Sequence, residues 1–174
     1  IHNIIVPKGK IFKNSNLMND IYSNNAWLLD DKYMSYLTIL SDQKMSEIIN
    51  EISFEEEKDN SRPDIAIIFS NDPEKNIKVD AVIVELKKLG LPLARKEEVI
   101  SQLKQRARKI SNLYPNKIQR IWFYGIVDID KELRISLKEE KFIEIFSKGS
   151  VFYKEHDTII DEEKDIRMPY GLFI

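Results

Sequence analysis

The stretch from Val79 to Ile129 most limits how this chain can fold. It holds an apolar run, Ala81–Val84, then a basic stretch from Lys96 to Ser111 with Val99, Leu103 and Ile110 at helical spacing, then a second apolar run, IQRIWFYGIVDI, from Ile118 to Ile129. That spacing predicts strand, helix, strand. Two strands joined through a helix form a parallel crossover, and such crossovers are right-handed. The second run is almost wholly apolar, so it reads as a central strand covered on both faces.

The flanking segments extend this unit. Residues 1–25 have mixed polarity and read as a connector, with a short strand at Asn3–Val6. Asp30 and Asp31 precede KYMSYLTIL, where Tyr33, Met34, Leu37 and Leu40 predict a helix with an acid at its start. KMSEIINEI predicts a second helix through Met45, Ile48, Ile49 and Ile52, and residues 54–61 a charged loop. Pro63 opens a strand over Ile65–Phe69, at an entry position where proline is tolerated. NDPEKN (residues 71–76) is a turn leading into IKVDAVIVELKK, the second strand of a hairpin. Beyond residue 130, KELRISL and KFIEIFSKGSVFYKE predict a further strand or helix and a closing strand. RMPYGLFI reads as an edge strand or a docked tail. The expected fold is α/β, a mixed central β-sheet flanked by helices.

DAVIVELKK raises the chemical question. A run that looks like core ends on Glu85 and Lys87. On a strand, residues two apart share a face, with Cα atoms about 6.5–7 Å apart, so both heads can converge on one point. Six segments match acid-x-Lys: Asp30–Lys32, Asp42–Lys44, Glu56–Lys58, Glu85–Lys87, Glu139–Lys141 and Glu162–Lys164. Only Glu85–Lys87 closes an apolar strand, where a charge is costly unless paired or metal-bound. The alternative reading is a strand-end ion pair. Asp64 also adjoins an apolar run. In a hairpin it can share a pocket with Glu85, and two carboxylates there suit a hard cation such as Mg²⁺ or Mn²⁺.

Pro63-Asp64 followed by Glu85-Leu86-Lys87 resembles the PD-(D/E)xK nuclease superfamily, and the element order is similar to its restriction-endonuclease-like core. The resemblance implies a metal-dependent DNA endonuclease over residues 26–174. Asp64 and Glu85 would hold the metal with help from the Leu86 carbonyl, and Lys87 would act on the water or the phosphoryl group. Gln102 would assist from the next helix. A further acid on the first helix is implied, with Asp31, Glu47 and Glu51 as candidates, though Asp31 reads first as a helix cap. IHNIIVP and Ala26–Asp42 resemble segments of bacterial proteins that join a GHKL-type ATPase to a nuclease domain. That likeness implies an upstream ATPase domain and a role in defence against phage, with Asp31 standing where Glu is usual. The chain opens on Ile1 and not Met, which fits an excised domain.

Charge distribution bears on the substrate. Lys87 to Arg120 carries ten Lys/Arg and two acids, against 17 and 27 in the remainder. Such asymmetry points to a polyanion surface, with a solvated helix face as the bland alternative. Lys88, Lys104, Arg106 and Arg108 are the candidate nucleic-acid contacts, on a basic helix, Lys96–Lys109, expected to grip the DNA backbone. Cysteine is absent, which excludes thiolate metal sites and fits a reducing, cytoplasmic interior. No secretory signal is visible, and no apolar run nears the roughly 18–20 residues that span a bilayer. Two histidines and five glycines leave no zinc cluster and no phosphate-cradling glycine loop. A non-catalytic binding module and a structural dimerisation unit remain the rival classes. A homodimer would suit double-strand cleavage.

Overall fold

A computed structural model describes residues 2–13, 24–30, 36–53, 60–69, 78–113, 116–146, 148–163 and 165–174. The fold is mixed α/β, its sheet containing eight strands with parallel and antiparallel pairs. The chain divides into two compact units: residues 1–83 with 113–120, and residues 84–112 with 121–174. Residues 54–59 of the charged loop expected over 54–61, the turn at 71–76 and Asp31 lie outside the described residues.

The first unit holds α1 (His2–Ile5), β1 (Ile11–Lys13), β2 (Tyr36–Ser41), α2 (Met45–Ser53), β3 (Ile65–Phe69) and most of β4 (Val79–Leu86), with the strands in the order β1-β2-β3-β4. β2 pairs antiparallel with both neighbours, Ile39 facing Phe12 on one side and Ile67 on the other. From Tyr36 onward this corrects the helix expected over Tyr33–Leu40. Tyr36, Thr38, Ile39 and Leu40 are all buried, so side chains on both faces of the strand are covered. A run this short satisfies helix and strand spacing equally, and Tyr, Thr and Ile favour the pleated form. The strand expected at Asn3–Val6 is instead the single turn α1, closed by Val6 N donating to His2 O at 2.9 Å. The α2 helix follows the expected stripe: Met45, Ile48, Ile49 and Ile52 are buried.

The second unit holds the end of β4, α3 (Leu93–Ser111), the greater part of β5 (Ile118–Ile126), α4 (Lys131–Glu139), β6 (Ile143–Glu144), β7 (Phe152–Asp161) and β8 (Ile166–Phe173), with strand order β4-β5-β8-β7-β6. Val79 N donates to Lys117 O at 2.8 Å, and Lys87 N to Ile126 O at 2.9 Å. Position advances together along both strands, so β4 and β5 run parallel, as the crossover requires. The C-terminal segment is no edge. β8 runs parallel to β5, with Trp122 facing Gly171, and antiparallel to β7, with Tyr153 facing Phe173. Pro169 is tolerated because its stretch pairs with β7 alone, the β5 ladder covering only Gly171–Phe173.

The α3 helix starts after Pro92, whose extended backbone breaks with β4, and buries Val99, Ile100, Leu103, Ala107 and Ile110. Complete burial of Leu103 contributes about 1.5–3 kcal/mol. Contact with β5 is tight at Gly125, where an added Cβ would lie 2.7 Å from Ile174 Cδ1 and 2.8 Å from Val99 Cγ2. The α4 helix is capped by Asp130, whose carboxylate accepts from Leu133 N at 2.9 Å.

Candidate functional site

The end of β4 brings three of the sequence-selected side chains together. Glu85 is buried and accepts a hydrogen bond from Nε of Arg106. Lys87, half-buried just past the strand, donates from Nζ to Oε1 of Gln102 at 2.8 Å. The spacings explain the match. Two residues on a strand cover about 6.5–7 Å and four on a helix about 6 Å. A step forward from Glu85 to Lys87 therefore meets a step back from Arg106 to Gln102, as a helix returning antiparallel to its strand demands.

The two rungs differ in charge. Glu85 and Arg106 neutralise one another in a buried pair. Lys87 rests on a neutral amide, and among the described residues no carboxylate lies within ion-pair distance of it. Among the described residues the site therefore keeps one positive charge that no carboxylate answers, held in place by an uncharged partner.

The remaining predicted residues divide further. Asp64 belongs to the first unit, at the entry of β3, half-buried. Its main-chain oxygen accepts from Asp42 N at 2.9 Å and lies 3.0 Å from His2 Nε2. Glu51, a candidate further acid, is bonded to Lys13 Nζ at 2.7 Å and to Thr38 Oγ1 at 3.4 Å, while Glu47 is half-buried on the same helix. Lys88 and Arg108 are exposed and Lys104 is half-buried. Arg106 is turned inward onto Glu85, and the basic helix starts differently from the expectation: Lys96 is 1% exposed and faces away from solvent.

Lys96 belongs to a cluster that sequence reasoning missed. Its Nζ donates to Asp128 Oδ2 at 2.9 Å and to Asp130 Oδ2 at 2.8 Å. The bonds to Asp130 and then Asp128 raise the lysine's pKa above its ordinary value. Asp128 is held low chiefly by Lys96, and Asp130 by the Leu133 N–H and then Lys96. The signal is present in IVDID: two acids, two residues apart, closing an apolar strand as Glu85 and Lys87 do.

Oxygen donors such as the Glu85 carboxylate and the Leu86 carbonyl have the hardness that Mg²⁺ or Mn²⁺ takes. One oxygen of Glu85 is already held by Arg106, so a metal there must share the carboxylate or displace the guanidinium. Among the described residues no group of three or more His, Asp or Glu side chains is gathered for a metal ion. No described helix is long and apolar enough to cross a membrane. The chain matches no family model, and comparison with curated proteins and with solved structures gives no match.

Proposed function

We propose that the chain is a divalent-metal-dependent phosphodiesterase that cleaves DNA. The observation that supports this reading most is Lys87, an amine fixed at a strand end by a neutral amide, with no carboxylate in ion-pair distance among the described residues. Such a group attracts a phosphodiester and stabilises the charge that builds on its oxygens during displacement. Gln102 holds the amine in position, and Arg106 orients Glu85. A Mg²⁺ or Mn²⁺ ion bound at Glu85 and the Leu86 carbonyl would supply Lewis acidity and a more acidic water.

A second reading is a nucleic-acid-binding module without catalysis. The Glu85–Arg106 pair favours it, because that carboxylate needs no metal to offset its burial.

Plasmid cleavage with Mg²⁺ or Mn²⁺ separates the two. Wild type is expected to cut, while Lys87→Ala and wild type in EDTA are not. Binding without cutting by the wild type, retained at full strength in Lys87→Ala, sinks the phosphodiesterase reading.

A further inference from the structure

The positive charges of α3 do not share one fate. Arg95 pairs with Glu98 at 2.5 Å, Lys96 with two aspartates, and Arg106 with Glu85. Lys104 and Arg108, one turn apart, have no carboxylate within ion-pair distance among the described residues. The α3 helix packs against β7, and there the neighbours are unusual. His156 of β7 stacks on Tyr170 of β8 at 5.7 Å, with planes 16° apart, and meets the edge of Phe142 at 6.3 Å. Lys154, also on β7, lies with its Nζ 5.4 Å from the centre of the Phe142 ring. Its amine donates to Glu140 O at 2.5 Å and lies 3.8 Å from the Glu140 carboxylate. The His156 Nε2 is buried without a hydrogen-bond partner among the described residues.

We propose that Lys104, Arg108 and Lys154 form a phosphate-binding face with His156 as a proton-linked fourth member, which grips the nucleic-acid backbone away from Lys87. The inference rests on the polyanion substrate proposed above but not on cleavage. Two unneutralised cations a helical turn apart are spaced to meet one phosphate or two successive ones. Protonating His156 would add a charge beside Lys104 and Lys154 and a buried N–H lacking an acceptor. Burial first, then those two lysines, holds the imidazole down at about 4, with Glu140 and Asp157 opposing. Tyr170 is pushed up to about 12, chiefly by burial, with Arg108 pulling it down and Asp157 adding to the rise. A bound phosphate offsets the lysine charges, so phosphate binding and His156 protonation favour one another reciprocally.

The chain has two histidines, so their imidazole resonances report separately, and His2, in the other unit, is the internal control. NMR titration of the full chain in EDTA, without ligand, with oligothymidylate and with inorganic phosphate, reads the linkage directly. The expected result with oligothymidylate is a rise of at least one unit in the His156 pKa, with His2 unmoved. By linkage, one unit means tenfold tighter binding to the protonated form. The doubly substituted Lys104→Gln/Arg108→Gln chain should lose the rise. No shift with oligothymidylate, or an equal shift in that variant, overturns the proposal. A shift with inorganic phosphate alone overturns the backbone assignment and makes this a small-anion site. Because EDTA removes the metal, a shift in a chain that never cuts DNA keeps this inference while sinking the phosphodiesterase reading.

Discussion

Two lysines of the second unit show how differently one charge can be used. Lys96 is fully enclosed by the fold, and its amine is bonded to two carboxylates. Those carboxylates are themselves tied to the chain, Asp128 by Gly90 N at 3.4 Å and Asp130 by Leu133 N. The cluster joins α3 to the segment after β5, with Asp128 Oδ1 buried and without a hydrogen-bond partner among the described residues. Lys87 is half-open, has one uncharged partner, and follows a strand whose last carboxylate is matched to another residue. A lysine answered by acids is a joint, whereas one answered by an amide keeps its attraction for an outside anion. The same helix supplies Lys96, Gln102 and Arg106, so the difference comes from the strand ends it meets.

Breaking the pair next to Lys87 should have the largest effect. Arg106→Met removes the guanidinium that neutralises the buried Glu85 carboxylate, and a loss of about 3–5 kcal/mol is expected in urea unfolding. Glu85→Leu/Arg106→Met should recover most of it, because an apolar pair of similar volume avoids both desolvation costs. If Glu85 binds a divalent ion, Mg²⁺ should raise the melting temperature of Arg106→Met more than that of the wild type. An equal response in both would count against a metal at Glu85. Lys96→Met should come next. Its aspartates are 32% and 49% exposed, so water takes up part of the lost charge and the fall is smaller than for Arg106→Met. A larger fall would reverse the comparison.

The chemistry at β4 is legible because charge interrupts an apolar run. The alternation rule then places Glu85 and Lys87 on one face, where the structure has them both meeting α3. What the rule cannot supply is the partner. Arg106 and Gln102 sit four apart on the helix, but only the return direction of α3 decides which meets which. Asp128 and Asp130 carry the same signal and are easily passed over, since their partner Lys96 looks like one more surface cation of a basic helix. β2 escapes the pattern because side chains on both of its faces are buried, so its buried residues run consecutively and lose the period of two. β8 escapes it for a related reason: its Gly171 pairs with Trp122 of β5, far back in the chain, and a long-range parallel pairing leaves no local mark.

Acidity separates the regions by another route. His156, held near 4 in the folded chain against an ordinary 6.5, binds its proton more readily when unfolded. Its contribution is fully present above about pH 6.5 and is lost as pH falls toward 4. Allowing for solvent screening, the loss is about 1–2 kcal/mol. Asp128 and Asp130, lowered from 3.8, give up their contribution only below that value, and Lys96, raised from 10.5, gives up its own only as pH climbs above it. His156→Gln should therefore flatten the stability profile between pH 6.5 and 4 and leave the steeper acid limb in place. Urea midpoints across that range decide it, and an unchanged slope would mean that the imidazole is not held low.

The smallest effect on stability is expected at Lys87. Removing a half-exposed amine whose partner is a neutral amide should change stability by no more than about 0.5 kcal/mol in Lys87→Met. Gln102 can turn its freed oxygen to water, so nothing buried is stranded. The same substitution should weaken oligonucleotide binding and reduce the slope of affinity against salt by about one, the signature of one lost phosphate contact. The pairing of those two outcomes is what distinguishes Lys87 from Lys96, whose replacement should lower stability while leaving the salt slope unchanged. A Lys87→Met chain that unfolds early and binds with the wild-type slope would make both lysines joints of the fold, and would move the anion-binding role to Lys104 and Arg108.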